Sequence, residues 1–371
     1  MNLALSDEQV FLREAARGAL SRFKTLEAAR EALDGDEQAL PDLWPTACEA
    51  GWPGLLIAED HGGAGLDVFD AMLVLGECGR VIAGVPLLGH LPATAILDDA
   101  SDPPMIEALA TGEKRAAYLP VSPPGDVLEN WTVDPASGVE RGEAPQLSGG
   151  TVSGSLHFVP DAPGADLLVG VAIEDGKPVG VAIETGAQGV TVEAADRYDA
   201  TRSLGNVTLE NAPAIVLDSP EETLAGAWYL AQSLVAAESL GSVETALDMS
   251  VAYAKERFTF GRAIGSYQAV KHSLTEVLRN LENGRSLLYY AGWARRGAPG
   301  EFPLAASAAR SVAGRALDHA ARTMISVHGG IGATWEHDAP LYYRRAQLSR
   351  RLLGGTAGAT DRVAGELLVA A

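Results

Sequence analysis

Arg257 and Phe260 stand three residues apart in YAKERFTFGRAIGSYQAVKH (253–272), a planar cation close to an apolar ring. A guanidinium is a rigid fork of donors that suits a pyrophosphate. On a helix, positions i and i+3 share a face, which would set the phenyl beside the fork as an apolar plate. Gly261 can end such a helix, Gly265 can loosen the turn, and Gln268 restarts on the next helix. A second set of chemically suggestive residues lies in SVHGGIGATWEHDAPLYYRRAQ (326–347). There Gly329, Gly330 and Gly332 let the backbone run close to a dinucleotide, and His328 either faces a phosphate or fills the turn.

These residues need long elements to hold them. The stretch from Leu224 to Glu256 has no proline and little glycine, and Ala269 to Ala294 has no proline and two glycines. Helices of ~25 to 30 residues span ~40 Å or more, which suits a bundle. The first part of the chain also reads as helical. Ser6 with Gln9 forms a capping-box pattern, followed by Val10, Phe11, Ala15, Leu20 and Phe23 at roughly helical spacing. A helix is expected around Leu43 to Ala50, a glycine-marked loop at 52–66, a helix over Asp67 to Gly79 and another after Pro92. Between Ala116 and Leu217 the pattern changes to short Val, Ile and Leu-rich runs, such as 151–159, 165–173 and 178–183, punctuated by Gly, Pro and Asp. The reading is a multidomain α+β chain: a helical domain over 1–115, a β-domain over 116–217 and a helical bundle over 218–371.

Composition narrows the function classes. In 371 residues, 49 Asp and Glu against 28 Lys and Arg give a net charge of −21. That excess disfavours nucleic acid and anionic membranes, yet leaves room for a phosphorylated ligand held by a local cluster of arginines. The two cysteines, Cys48 and Cys78, make neither a disulfide scaffold nor a zinc site. No run reaches the ~20 apolar residues of a membrane helix, so a soluble cytoplasmic protein is the expectation.

The segments 253–272 and 326–347 resemble the signatures of the C-terminal domain of acyl-CoA dehydrogenases, and the likeness extends more weakly along nearly the whole chain. It implies an all-helical N-terminal domain, a middle β-domain and a C-terminal four-helix domain. It also implies FAD as cofactor, an acyl-CoA substrate and an electron-transfer flavoprotein or similar acceptor. In the family, residues matching Arg257, Phe260 and Gln268 approach FAD bound mainly by a neighbouring subunit, and the turn matching His328, Gly329 and Gly330 lies beside them. Ser326 stands where many members have a flavin-contacting glutamine.

The family reaction removes a proton from Cα of an acyl thioester and passes hydride from Cβ to the flavin, so a carboxylate must reach Cα. Most members carry it in a Glu-Gly-Thr segment. The matching stretch here, LLGGTAGATDR (352–362), puts Leu353, Gly354 and Gly355 at that place. Other members use a glutamate that would match near Ala231, and no acidic residue lies between Gly226 and Glu238. Glu238 is displaced from Ala231 by ~10 Å along a helix axis, which favours a structural pairing role over base catalysis. Asp361 and Glu366 are candidates only if the C-terminal segment folds unusually. The Thr-Glu-Pro type strand that reads the flavin ring is replaced by YLPVSPPGD (118–126), and His157 to Val159 replaces a tryptophan-bearing stretch.

Three readings follow. The chain is the subunit without a base in a heterotetramer, lending FAD contacts to a partner acyl-CoA dehydrogenase-like chain that supplies the glutamate; the bacterial relatives of this type act on steroid side-chain thioesters. Alternatively it is a self-sufficient homotetramer with a relocated base, Glu238 first, or a flavin-free scaffold or acyl-CoA-binding protein. Small residues along 224–246 either admit a bulky thioester or serve close helix packing.

Overall fold

The structure, a computed structural model, describes residues 4–35, 39–123 and 144–369. Six helices come first: α1 (Asp7–Leu20), α2 (Thr25–Leu33), α3 (Trp44–Glu49), α4 (Val68–Arg80), α5 (Leu87–Asp98) and α6 (Ile106–Thr111). Ser6 caps α1 with the reciprocal bonds of a capping box through Gln9. Arg17 of α1 grips the buried Glu77 of α4 through both carboxylate oxygens, at 2.9 and 2.8 Å. The helix expected after Pro92 in fact begins at Leu87 and runs through that proline. Its start is held from outside, because the N–H of Gly89, one of the first-turn donors without a helical partner, donates to Asp161 at 2.8 Å.

Among the described residues the β-domain is one eight-stranded sheet. Its strands are β1 (Ala116–Leu119), β2 (Gln146–Ser148), β3 (Thr151–Pro160), β4 (Leu167–Glu174), β5 (Lys177–Glu184), β6 (Val190–Ala194), β7 (Leu204–Pro213) and β8 (Ile215–Leu217). The order is β6-β7-β3-β2-β4-β5-β8, with β1 pairing parallel to β4. Side chains alternate across a strand. Ala116, Tyr118, Leu167 and Val169 therefore join the helical core, while Ala117, Leu119 and Leu168 fill a separate core inside the β-domain.

Helices α7 (Glu221–Glu256), α8 (Gln268–Gly297), α9 (Phe302–His328), α10 (Ala339–Ser349) and α11 (Gly355–Val369) complete the chain. Between α7 and α8 lies a short hairpin of β9 (Phe258–Thr259) and β10 (Arg262–Ala263). From Leu230 to Val243 every residue of α7 is buried, so this helix is the axis around which the other domains pack.

Two glycines let α4 and α7 meet backbone to backbone. A Cβ on Gly79 would lie 1.9 Å from the Glu238 carbonyl oxygen, and one on Gly241 would lie 1.9 Å from that of Gly76. The carbonyls at the end of α4 are then satisfied from the bundle: Ser242 Oγ donates to Gly79 at 2.7 Å, Thr245 Oγ1 to Arg80 at 2.9 Å and Tyr342 Oη to Arg80 at 2.5 Å.

A buried ionic chain lies at the same level. Arg345 of α10 donates to Glu238 of α7 at 2.7 Å and to Asp199 in the loop before β7, while Arg202 from that loop donates to the other Glu238 oxygen. All four are almost fully buried. Burial alone would raise the Asp199 carboxyl, but Arg345, Thr201 and Arg202 hold it below the ordinary range.

Replacing Glu238 with Gln would leave two buried guanidiniums short of their counter-charge, and the expected loss is about 3–5 kcal/mol. Denaturant midpoints of Glu238→Gln and the parent measure it; an unchanged midpoint would show that the chain of ion pairs carries no stability.

Two buried groups set opposite pH slopes. Burial lowers His90 to about 4, so from pH 6.5 down to 4 the unfolded chain takes up a proton that the folded one refuses, and stability falls as pH falls. Burial raises Asp161 to about 6 against the opposing pull of Arg202 and the Gly89 N–H, so stability falls as pH rises from 3.8 through 6. Asp161→Asn removes the second slope and leaves the first. Its stability relative to the parent should rise by about 2–3 kcal/mol between pH 4 and 6, read from urea titrations at several pH values.

Candidate functional site at one end of the bundle

Helix α7 stops at Glu256, and Arg257 is already extended, with φ −80° and ψ 122°. Phe258 and Thr259 are residues that favour strands. They pair back through Thr259 and Arg262 across a two-residue turn in which Phe260 (φ +51°) and Gly261 (φ +77°) are both left-handed. That is the turn whose twist matches a hairpin. The shared helix face expected for Arg257 and Phe260, and the helix end expected at Gly261, are thus replaced by a hairpin that carries Phe260 at its tip, 92% exposed. Tyr267 braces the hairpin: its hydroxyl donates to the Thr259 carbonyl at 3.1 Å and its ring lies 3.9 Å below the Arg262 guanidinium. Gln268 opens α8 with its side chain exposed.

The glycine turn lies beside this hairpin. Tyr253, in the last turn of α7, stacks on His328 at the end of α9 with ring centroids 4.5 Å apart. His328 is buried, its Nδ1 is 2.8 Å from the Met324 carbonyl oxygen, and His337 covers it at 4.2 Å. Of the two roles open to it, His328 fills the turn. Gly329, at φ +64°, and Gly330 are exposed, and a Cβ on either would meet nothing within 4 Å. Their backbone is open to a ligand. Gly332 instead permits the tight turn, since a Cβ there would lie 2.8 Å from Ile325 O.

The two places where the family hangs its glutamate come together in space. Gln232, next to Ala231 on α7, donates to the Leu353 carbonyl at 3.2 Å. Ala231, Leu352 and Leu353 are wholly buried. Leu353, Gly354 and Gly355 are three successive left-handed residues leading into α11. Arg310 of α9 holds the same turn by donating to Ser349 O and, at 3.1 Å, to Leu352 O; burial pushes its guanidinium down to about 10. Sequence reading did not single out Gln232 or Arg310, since neither belongs to a local motif. Glu238 is committed to Arg202 and Arg345. Asp361 is exposed, and Glu366 pairs with Arg362 on α11, an ordinary helix.

A cavity of about 230 Å³ lies between the N-terminal helices and the start of α7, lined by Leu56, Ala95, Asp98, Gly226, Leu230 and Arg295 among others. The small residues of 224–246 therefore divide: Gly226 opens onto this cavity, while Gly241 serves helix packing.

The donor set bears directly on where FAD could be held. Arg257, Arg262, the Gln268 amide and the open glycine backbone offer donors from one exposed surface, which fits a pyrophosphate. The β-domain offers less to a flavin ring. Pro120 and Pro160 carry no N–H. Phe158 sits left-handed at a bulge of β3, its N–H given to Asn206 at 3.3 Å and its ring packed on the helical core. His157 Nδ1 is likewise 3.3 Å from Asn206 Oδ1. Residues 124–126 of the strand-loop segment named above lie outside the described residues.

The models of the acyl-CoA dehydrogenase N-terminal and C-terminal domains match residues 6–122 and 230–368. Acyl-CoA dehydrogenase IpdE2 of Mycolicibacterium smegmatis is 30% identical, over 94% of this chain and 96% of that one. Acyl-CoA dehydrogenase FadE34 of Mycobacterium tuberculosis is 33% identical over 96% of this chain, which spans only 47% of that longer protein. Among solved structures, the Tcur3481–Tcur3483 steroid ACAD superposes with a TM-score of 0.84 at 26% identity, covering 98% of each chain. With its helical, β and bundle domains in this order, the chain belongs to the acyl-CoA dehydrogenase family.

Proposed function

We propose that this chain is the subunit without a catalytic base in a two-chain, FAD-dependent acyl-CoA dehydrogenase. The observation that carries the reading is the meeting of Gln232 and Leu353: both family positions for the glutamate converge there, and neither bears a carboxylate. At the far end of α7 the surface that would face a neighbour's FAD is intact and open. The solved relative named for two gene products and for a steroid substrate supports a heteromeric assembly and a steroid-type thioester. An electron-transfer flavoprotein or similar acceptor completes the cycle.

In this assembly the partner chain supplies the glutamate that takes the Cα proton. FAD, when bound, supplies the acceptor for the hydride leaving Cβ. The present chain contributes binding and orientation. Arg257 offsets the pyrophosphate charge, Gln268 donates hydrogen bonds, Gly329 and Gly330 present backbone without a side-chain obstacle, and Phe260 excludes water from the seam.

Co-expression with the partner chain should give one complex holding one FAD per heterodimer, measured by native mass and flavin absorbance. Full flavin occupancy and turnover by this chain alone would overturn the proposal. Arg257→Ala should weaken FAD retention by the complex about tenfold or more, the scale of a lost charge-assisted hydrogen bond, without dissociating the subunits. Retention equal to the parent would remove Arg257 from the site.

A further inference from the structure

Five residues beyond Gly330, Trp335 leaves half of its surface exposed, at 52%. A ring of this size is normally largely buried. One side of it is backed by the Arg344 guanidinium, 5.0 Å from the ring, and that guanidinium is fixed in turn. It lies 4.2 Å over the Tyr198 ring and donates from Nη1 to the Tyr198 carbonyl at 2.6 Å. Cation and rings form a stack that joins the β-domain to the bundle, and half of the indole surface remains exposed. The setting selects the occupant of that surface. Arg257 and the open backbone of Gly329 and Gly330 are suited to a diphosphate, and they gather cations at one end of a chain whose net charge is −21. A ligand that joins a diphosphate to a planar aromatic ring matches both features.

We propose that Trp335 is the stacking platform for the adenine ring of the FAD shared with the partner chain, and that Arg344 positions it. This rests on the cross-subunit reading above. Base stacking on an aromatic side chain is sequence-tolerant and is lost on truncation to alanine. Trp335 thus adds a contact to the adenylate half, while the pyrophosphate is held by the hairpin and glycine turn.

The test uses the assembled two-chain complex, stripped of flavin and titrated with FAD and, separately, with FMN, which lacks the adenylate. Trp335→Ala should lower FAD affinity about tenfold, and Trp335→Phe should recover most of it. FMN affinity and the mass of the flavin-free complex should stay at parent values in both variants. Unchanged FAD affinity in Trp335→Ala overturns the proposal. So does an equal loss of FMN affinity, or dissociation of the flavin-free complex, which would make Trp335 a protein–protein contact. If Arg257→Ala weakens FAD binding while Trp335→Ala does not, only this inference fails; if neither does, the cross-subunit reading fails with it.

Discussion

Glu238 joins the two contacts that position the domains: the close approach of α4 to α7 and the buried ionic chain. Its carbonyl oxygen leaves no room for a side chain on Gly79, which fixes the N-terminal helices against the bundle. Its carboxylate takes Arg202 from the β-domain and Arg345 from α10. A carboxylate desolvated this deeply is tolerated because both oxygens are engaged and because Asp199 balances the second guanidinium. Such a pairing constrains geometry more than it adds stability, since a well-packed apolar cluster would do as well energetically. What the ionic chain provides is register between the β-domain and the bundle; the close contact of α4 with α7 sets the N-terminal helices separately, and the long α7 points its hairpin away from both.

The two ends of α7 have consequently different characters. Near its start, around Ala231 and Gln232, the helix is sealed by the turn into α11, and polar contacts there go to backbone carbonyls. Near its end, helix, hairpin and glycine turn leave their functional groups in solvent. The inner position is packed and buried, and the outer one is exposed.

Much of this was legible from residue order. The capping box at Ser6, the strand-length runs of the β-domain and the long helices follow from local periodicity and turn chemistry, which is why they read correctly. That Leu353, Gly354 and Gly355 carry no carboxylate was legible because the place is tied to fixed spacing from the glycine motif. The Arg257 hairpin was not. The four residues 257–260, after a 36-residue helix, read as its continuation until both left-handed positions of the turn are known. The start of α5 at Leu87, ahead of Pro92, was hidden for a related reason: Asp161, distant in sequence, supplies the bond that secures its first turn. The ionic chain draws on positions 199, 202, 238 and 345, which no window can connect.

The hairpin tip also bears on how the chain is kept in the cell. Phe260, Phe258 and Ile331 are all exposed, and exposed apolar side chains of this size are a liability in a free subunit, inviting self-association and capture by quality control. On the two-chain reading, an unmatched copy would be shorter-lived than an assembled one, and stoichiometry would be enforced by survival even where synthesis is uneven.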